Sequence, residues 1–257
     1  MKTCEGVRPL HNMTTSLWRL PGAPLRSSVV RSVLAGVLVI LAYAPVVASE
    51  TMSGADYIKR SVLFFAAAAV VIVGRVADHH PFPRFGAANT VTLLRVALVA
   101  GVAALIGETP SDRVAWLAAG FVTVVALLDG LDGWLARRSV QQSAFGARFD
   151  METDAALILI LSMLVWHHEK AGVWVLTCGL MRYGFVVAGW ILPWMAGPLR
   201  STLRGKSIAI AQLVGLGAAL LPVVPVPISD IVAAITLALL VWSFAVDIAW
   251  LKRQATA

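Results

Sequence analysis

The sequence predicts an all-α polytopic membrane protein, with an N-terminal pair of spans ahead of a body of six. Three observations carry this expectation. Only 14% of the 257 residues are charged, against about 25% in soluble domains. The apolar residues fall into runs near the ~20 residues that a helix needs to cross a bilayer. The basic residues collect in alternate connections, as the positive-inside rule requires.

Eight apolar segments are expected, at roughly 29–48, 61–77, 91–107, 114–136, 150–167, 171–196, 206–224 and 228–250. Turn residues separate them, as in Gly107-Glu108-Thr109-Pro110 and Pro222 to Pro227. Counted in alternating sets, the connections hold 14 Lys and Arg on one side and 4 on the other. An even number of spans then sets both termini in the cytoplasm.

The first segment has a rival reading. Its basic leader, apolar core and Val46-Val47-Ala48 before Ser49 resemble a signal peptide. The length of the leader and the seven spans behind it favour an uncleaved helix. The polar stretch Asp78 to Arg84 reads as the connection between an N-terminal unit, residues 1–84, and a catalytic body, residues 85–257. Adjacent residues on a regular element point apart, so His79 and His80 are expected in a solvated loop.

The net charge of +7 would suggest a nucleic-acid partner in a soluble protein. Here the charge follows topology, and no nucleic acid is expected. Cys4 and Cys178 form neither a disulfide framework nor a thiolate metal site.

The chemistry concentrates in one short stretch. Of 14 acidic residues, five fall between 129 and 154. Asp129 and Asp132 are three apart, and Asp150 and Asp154 are four apart. Each pair shares a helical face. The connection between them is short enough for antiparallel packing, which converges four carboxylates at the cytoplasmic boundary. Gathered without a cation, they would repel one another until some were protonated. All-oxygen ligation suits Mg2+, Mn2+ or Ca2+ rather than zinc, and four carboxylates suffice for two ions. Two such ions clamp a displacement at phosphorus. Gly130, Gly133 and Ala136 form a smooth strip for a close neighbour, either a helix or a nucleotide. Arg137 is suited to grip a diphosphate. Glu152 lies on another face and is expected to be structural.

These residues resemble the CDP-alcohol phosphatidyltransferase motif D-x-x-D-G-x-x-A-R-x8-G-x-x-x-D-x-x-x-D. All eight fixed positions match: Asp129, Asp132, Gly133, Ala136, Arg137, Gly146, Asp150 and Asp154. Asn89-Thr90-Val91-Thr92-Leu93-Leu94-Arg95 resembles the Asn-x-x-Thr-x-x-Arg opening of the first core helix in many members. The resemblance covers about residues 85–251 and implies a six-helix core. It also implies transfer of a substituted phosphate from a CDP-linked donor, CDP-diacylglycerol or another CDP-alcohol, to an acceptor alcohol with release of CMP, in phospholipid biosynthesis. It assigns Asp129, Asp132, Asp150 and Asp154 to two divalent cations, Mg2+ or Mn2+. Asp154 is assigned as general base. Gly133, Ala136, Arg137 and Gly146 are assigned to the CDP donor. Homodimers are a further implication; the Lys and Arg count places the Asp-rich connection on the cytoplasmic side, in what is expected to be a bacterial inner membrane.

On the acceptor side, Arg182, Arg200, Arg204 and Lys206 are candidates for binding a phosphate. Arg182 sits inside an apolar run, where an unpaired guanidinium costs about 2.5–3.5 kcal/mol. An acid of the metal cluster or a ligand phosphate is its expected partner. Arg95 is expected either to reach the same pocket or to snorkel to headgroups. These cations hint at a polyol phosphate such as glycerol 3-phosphate. The stretch Asp150-Met151-Glu152-Thr153-Asp154-Ala155 differs from the Asp-Pro-x-Ala-Asp-Lys frequent in phosphatidylglycerophosphate synthases, so the motif leaves the alcohol open. Two other readings use the same acids: an intramembrane prenyltransferase, which would release pyrophosphate, and a cation-binding transporter or scaffold.

Overall fold

The computed structural model describes residues 22–138, 143–197 and 202–255; side chains of residues 77–79, 132, 134–138 and 196 are not described. Within these residues the fold comprises α1 (Ala23–Glu50), α2 (Ala55–His79), α3 (Ala87–Ala104), α4 (Asp112–Arg138), α5 (Ala144–His167), α6 (Leu176–Ile191), α7 (Leu203–Leu220) and α8 (Val226–Ala255). Each corresponds to one expected apolar segment. Short 3-10 turns at Leu105–Gly107, Val173–Val175 and Pro193–Ala196 extend α3 and flank α6.

Seven of the eight helices are long and apolar enough to cross a membrane. The protein is an integral membrane protein. The exception is α5, whose N-terminal half carries Arg148, Asp150, Glu152 and Asp154. Its 24 residues still span about 36 Å at 1.5 Å per residue, so the departure is one of charge and not of length. Outward-facing Leu34, Leu38, Leu63, Leu127 and Trp190 are exposed, as expected where lipid is the solvent.

The centre of the bundle is α3, with 12 of its 18 residues buried. It packs against α1, α2, α4 and α5. The helices α7 and α8 form a second packed pair, and α6 lies on α5. Close approach of α5 and α6 depends on Gly179, where any β-carbon would collide with Leu159.

The N-terminal pair is bound to α3 by polar contacts as well as by packing. The Tyr43 hydroxyl donates to the Ala97 carbonyl at 2.9 Å, and Tyr57 donates to the Gly101 carbonyl at 3.2 Å. At the far end, the buried Glu108 carboxylate accepts from the Ser53 amide at 3.2 Å and pairs with Arg60. The helix α1 runs unbroken through Val46-Val47-Ala48.

The connection ahead of α3 corrects an expectation. His80 is buried, not solvated. Its ring lies among Phe82, Phe85 and Phe145, with centroids 5.6, 6.3 and 5.9 Å away. His80 turns inward, onto Phe145 of α5, while Pro81, Pro83 and Arg84 are exposed as expected of the connection; the side chain of His79 lies outside the described residues.

Candidate active site

Three helices build the site. Near the end of α4 stands Asp129; α5 contributes Asp150 and Asp154 from successive turns of one face. One carboxylate oxygen from each of the three lies within 4.8 Å of the others. The sequence spacing therefore translated directly into convergence. Asp132 occupies the next turn of α4 on the same face as Asp129, but its side chain, like those of Ala136 and Arg137, lies outside the described residues.

The positive charge at the centre of the cluster is Arg95 of α3. Its side chain is 1% exposed and pairs with Asp129 at 2.9 Å, and with Asp150 and Asp154 through separate guanidinium nitrogens. A planar guanidinium presents several donors in a fixed fork, which lets one side chain engage three acids. Of the two expectations for Arg95, the pocket is realised and the headgroup is not. By helical rise, Asp150 and Asp154 sit about 9 and 15 Å from the start of α5.

The donor set fits a divalent cation. Opposite ligands of an octahedral Mg2+ stand about 4 Å apart, twice the 2.0–2.1 Å bond. Three ligands of one ion include adjacent pairs about 2.9 Å apart, so oxygens now within 4.8 Å would close by up to about 2 Å around a shared ion.

The glycines divide into two uses. Gly130 is exposed, and a β-carbon there would meet nothing within 4 Å. At Gly130 the helix thus presents free surface rather than a helix contact. Gly146 packs against α3, where a β-carbon would stand 2.6 Å from Asn89 Oδ1. Asn89 is buried and its amide donates to the Phe85 carbonyl at 2.6 Å.

Arg182 corrects another expectation. Its partner is Glu152, at 2.5 Å, not an acid of the cluster. Two residues' offset along α5 turns Glu152 away from Asp150 and Asp154 and toward α6. Arg204 pairs with Asp247 on α8 and stacks over Trp242 at 5.8 Å. Lys206 is exposed and near enough to Asp150 for their charges to attract. Arg200 lies outside the described residues.

A model of the CDP-alcohol phosphatidyltransferase family matches residues 85–242. The chain belongs to the CDP-alcohol phosphatidyltransferase family. It is thereby a transferase of that type, as the motif implied. A CDP-diacylglycerol–glycerol-3-phosphate 3-phosphatidyltransferase of Cereibacter sphaeroides is 31% identical over 101 residues, 38% of this chain and 46% of the relative. A protein of the same name in Escherichia coli is 31% identical over 138 residues, 52% of this chain and 75% of the relative. The match thus spans under half the length of the first and three quarters of the second. No solved structure matches the chain.

Sequence reasoning missed two features. Arg95 was left with two alternatives, although an arginine within an apolar run needs a buried counter-charge. His80 and Ser143 gave no signal, because their contact joins residues 63 apart.

Proposed function

We propose that this phosphatidyltransferase transfers the phosphatidyl group of CDP-diacylglycerol to glycerol 3-phosphate, releasing CMP, at the cytoplasmic face of a bacterial inner membrane. The observation that carries the reading is the convergence of Asp129, Asp150 and Asp154 within 4.8 Å. The names of the relatives support the donor and the acceptor. The exposed Lys206, close enough to Asp150 for their charges to attract, supports an anionic acceptor. Positive charge in the connections around the site supports the cytoplasmic side.

Asp129, Asp132, Asp150 and Asp154 would hold two divalent ions, Mg2+ or Mn2+. Such ions neutralise the donor diphosphate and stabilise the charge that develops on the leaving phosphate. The chain's residues do the rest. Arg95 holds the three acids in register across α3, α4 and α5. Arg137 binds the donor diphosphate, and the open surface at Gly130 admits the nucleotide next to Gly133. Lys206 orients the acceptor phosphate. Asp154 accepts the proton of the acceptor hydroxyl as its oxygen attacks the phosphorus joined to diacylglycerol. The new P–O bond forms as the bond to CMP breaks, and CMP leaves with the electron pair. Residues 1–84 precede the catalytic body in sequence, and α1 and α2 pack on its α3.

The test is CMP release by the purified protein from CDP-diacylglycerol with Mg2+ or Mn2+ and a panel of acceptors, with Asp150→Asn as control. Release with glycerol 3-phosphate, abolished in the variant, supports the reading. Release with another alcohol alone replaces the acceptor, and release of pyrophosphate replaces the reaction.

A further inference from the structure

We infer that His80, outside the region matched by the family, is a positioning residue that sets the start of α5 and with it the metal-binding acids. The bonding pattern fixes its tautomer. The Arg84 carbonyl can only accept, so His80 Nε2 carries the proton and donates to it at 2.8 Å. In the neutral ring Nδ1 is then an acceptor, and the Ser143 hydroxyl donates to it at 3.2 Å. With its proton so directed, Ser143 Oγ turns its lone pairs to the α5 backbone and accepts from the Gly146 amide at 3.0 Å. Ser143 is the N-cap of α5, and an N-cap fixes both the end and the entry angle of its helix.

Packing reinforces the same constraint. Phe85, Phe145 and Phe149 form a buried cluster beside the His80 ring. Phe149 precedes Asp150 directly. On the far side of the first turn, Asn89 closes on Gly146. The start of α5 is therefore clamped from the α2–α3 connection by a hydrogen-bond relay and by apolar contact. A rotation of α5 about its axis would carry Asp150 and Asp154 away from Asp129 together. His80 touches none of the acids; its directed hydrogen bond reaches them through Ser143 and the helix backbone.

The catalytic consequence rests on the proposed function; the structural relay does not. The test uses full-length protein in detergent, with His80→Ala, His80→Asn, His80→Gln, Ser143→Ala and the His80→Ala/Ser143→Ala double variant. An Asn oxygen occupies roughly the place of Nδ1 and can accept from Ser143. A Gln nitrogen reproduces only the Nε2 side. Hydrogen exchange at residues 143–150 and Mn2+ affinity are both measured. The expected result is faster exchange and an approximately tenfold loss of Mn2+ affinity in His80→Ala, as for other residues that orient metal ligands. His80→Asn should recover both and His80→Gln should not. Ser143→Ala should match His80→Ala, and the double variant should be no worse than either. Unchanged exchange and affinity in His80→Ala, additive single effects, or equal rescue by Gln and Asn would overturn the inference. If His80→Ala cannot be purified, the Asn–Gln contrast decides it. If the wild type binds no Mn2+, the metal reading fails, and exchange alone decides the relay.

Discussion

Replacing Arg95 by methionine removes the one described side chain that engages all three converging acids. At an effective dielectric near 20, two unit charges 4.8 Å apart repel by about 3.5 kcal/mol. Three such pairs are left facing one another in Arg95→Met. The full sum is not expressed, because the carboxylates remain about 40% exposed and water screens them. Removing one partner of a buried ion pair costs about 3–5 kcal/mol, and this exposure puts the expected cost near 3 kcal/mol. In a chain of this size that lowers the melting temperature by roughly 6–12 °C, measured in detergent with chelator present. A divalent ion restores the missing positive charge, so Mn2+ should recover most of the loss. It should also bind at least tenfold tighter than in wild type, or about 1.4 kcal/mol, because no guanidinium repels it. Calorimetric titration with Mn2+ and a melting curve with and without chelator make the measurement. An unchanged melting point in chelator, or weaker Mn2+ binding by the variant, would refute the assignment of Arg95 as the counter-charge of the cluster.

Asp154→Asn should abolish CMP release while CDP binding remains measurable by titration; loss of binding as well would make Asp154 chiefly a ligand holder. Lys206→Met should raise KM for an anionic acceptor about three- to tenfold with kcat nearly unchanged, since an exposed charge contributes to ground and transition states alike. Steady-state kinetics with charged and uncharged acceptors separate that effect from a general loss. Arg60→Met should cost about 3–5 kcal/mol of thermal stability by stranding the 1% exposed Glu108. Adding Glu108→Gln should return much of it, read from melting curves of the single and double variants.

The legible parts of this protein were those in which one helix decides the geometry. Segment lengths and apolar runs anticipated all eight helices, because bilayer thickness imposes span length regardless of packing. The i, i+4 spacing of Asp150 and Asp154 fixed their common face, and a short connection brought Asp129 to them. What failed depended on contacts between helices remote in sequence. Arg182 was expected to meet a cluster acid or a ligand phosphate and pairs with Glu152, because the helical periodicity that excludes this structural acid from the cluster aims it at α6.

The placement of Arg95 connects the two halves of the chain. One face of α3 presents this arginine to the aspartates. Other α3 positions, Ala97 and Gly101, accept hydrogen bonds from Tyr43 and Tyr57 of the N-terminal helices. Gly101 also leaves room for the Tyr43 ring, which stands 2.9 Å from where a β-carbon would be. A sideways shift of α3 would therefore break contacts with α1 and α2 at the same time as it withdrew the counter-charge from the acids. Since packed helices interdigitate in discrete arrangements, the N-terminal pair restricts α3 to one of them, and the His80 relay does the same for the start of α5. Both constraints originate in residues 22–84, ahead of every acid in the cluster. The geometry of the reaction centre is thus supported by a segment that carries none of its chemistry.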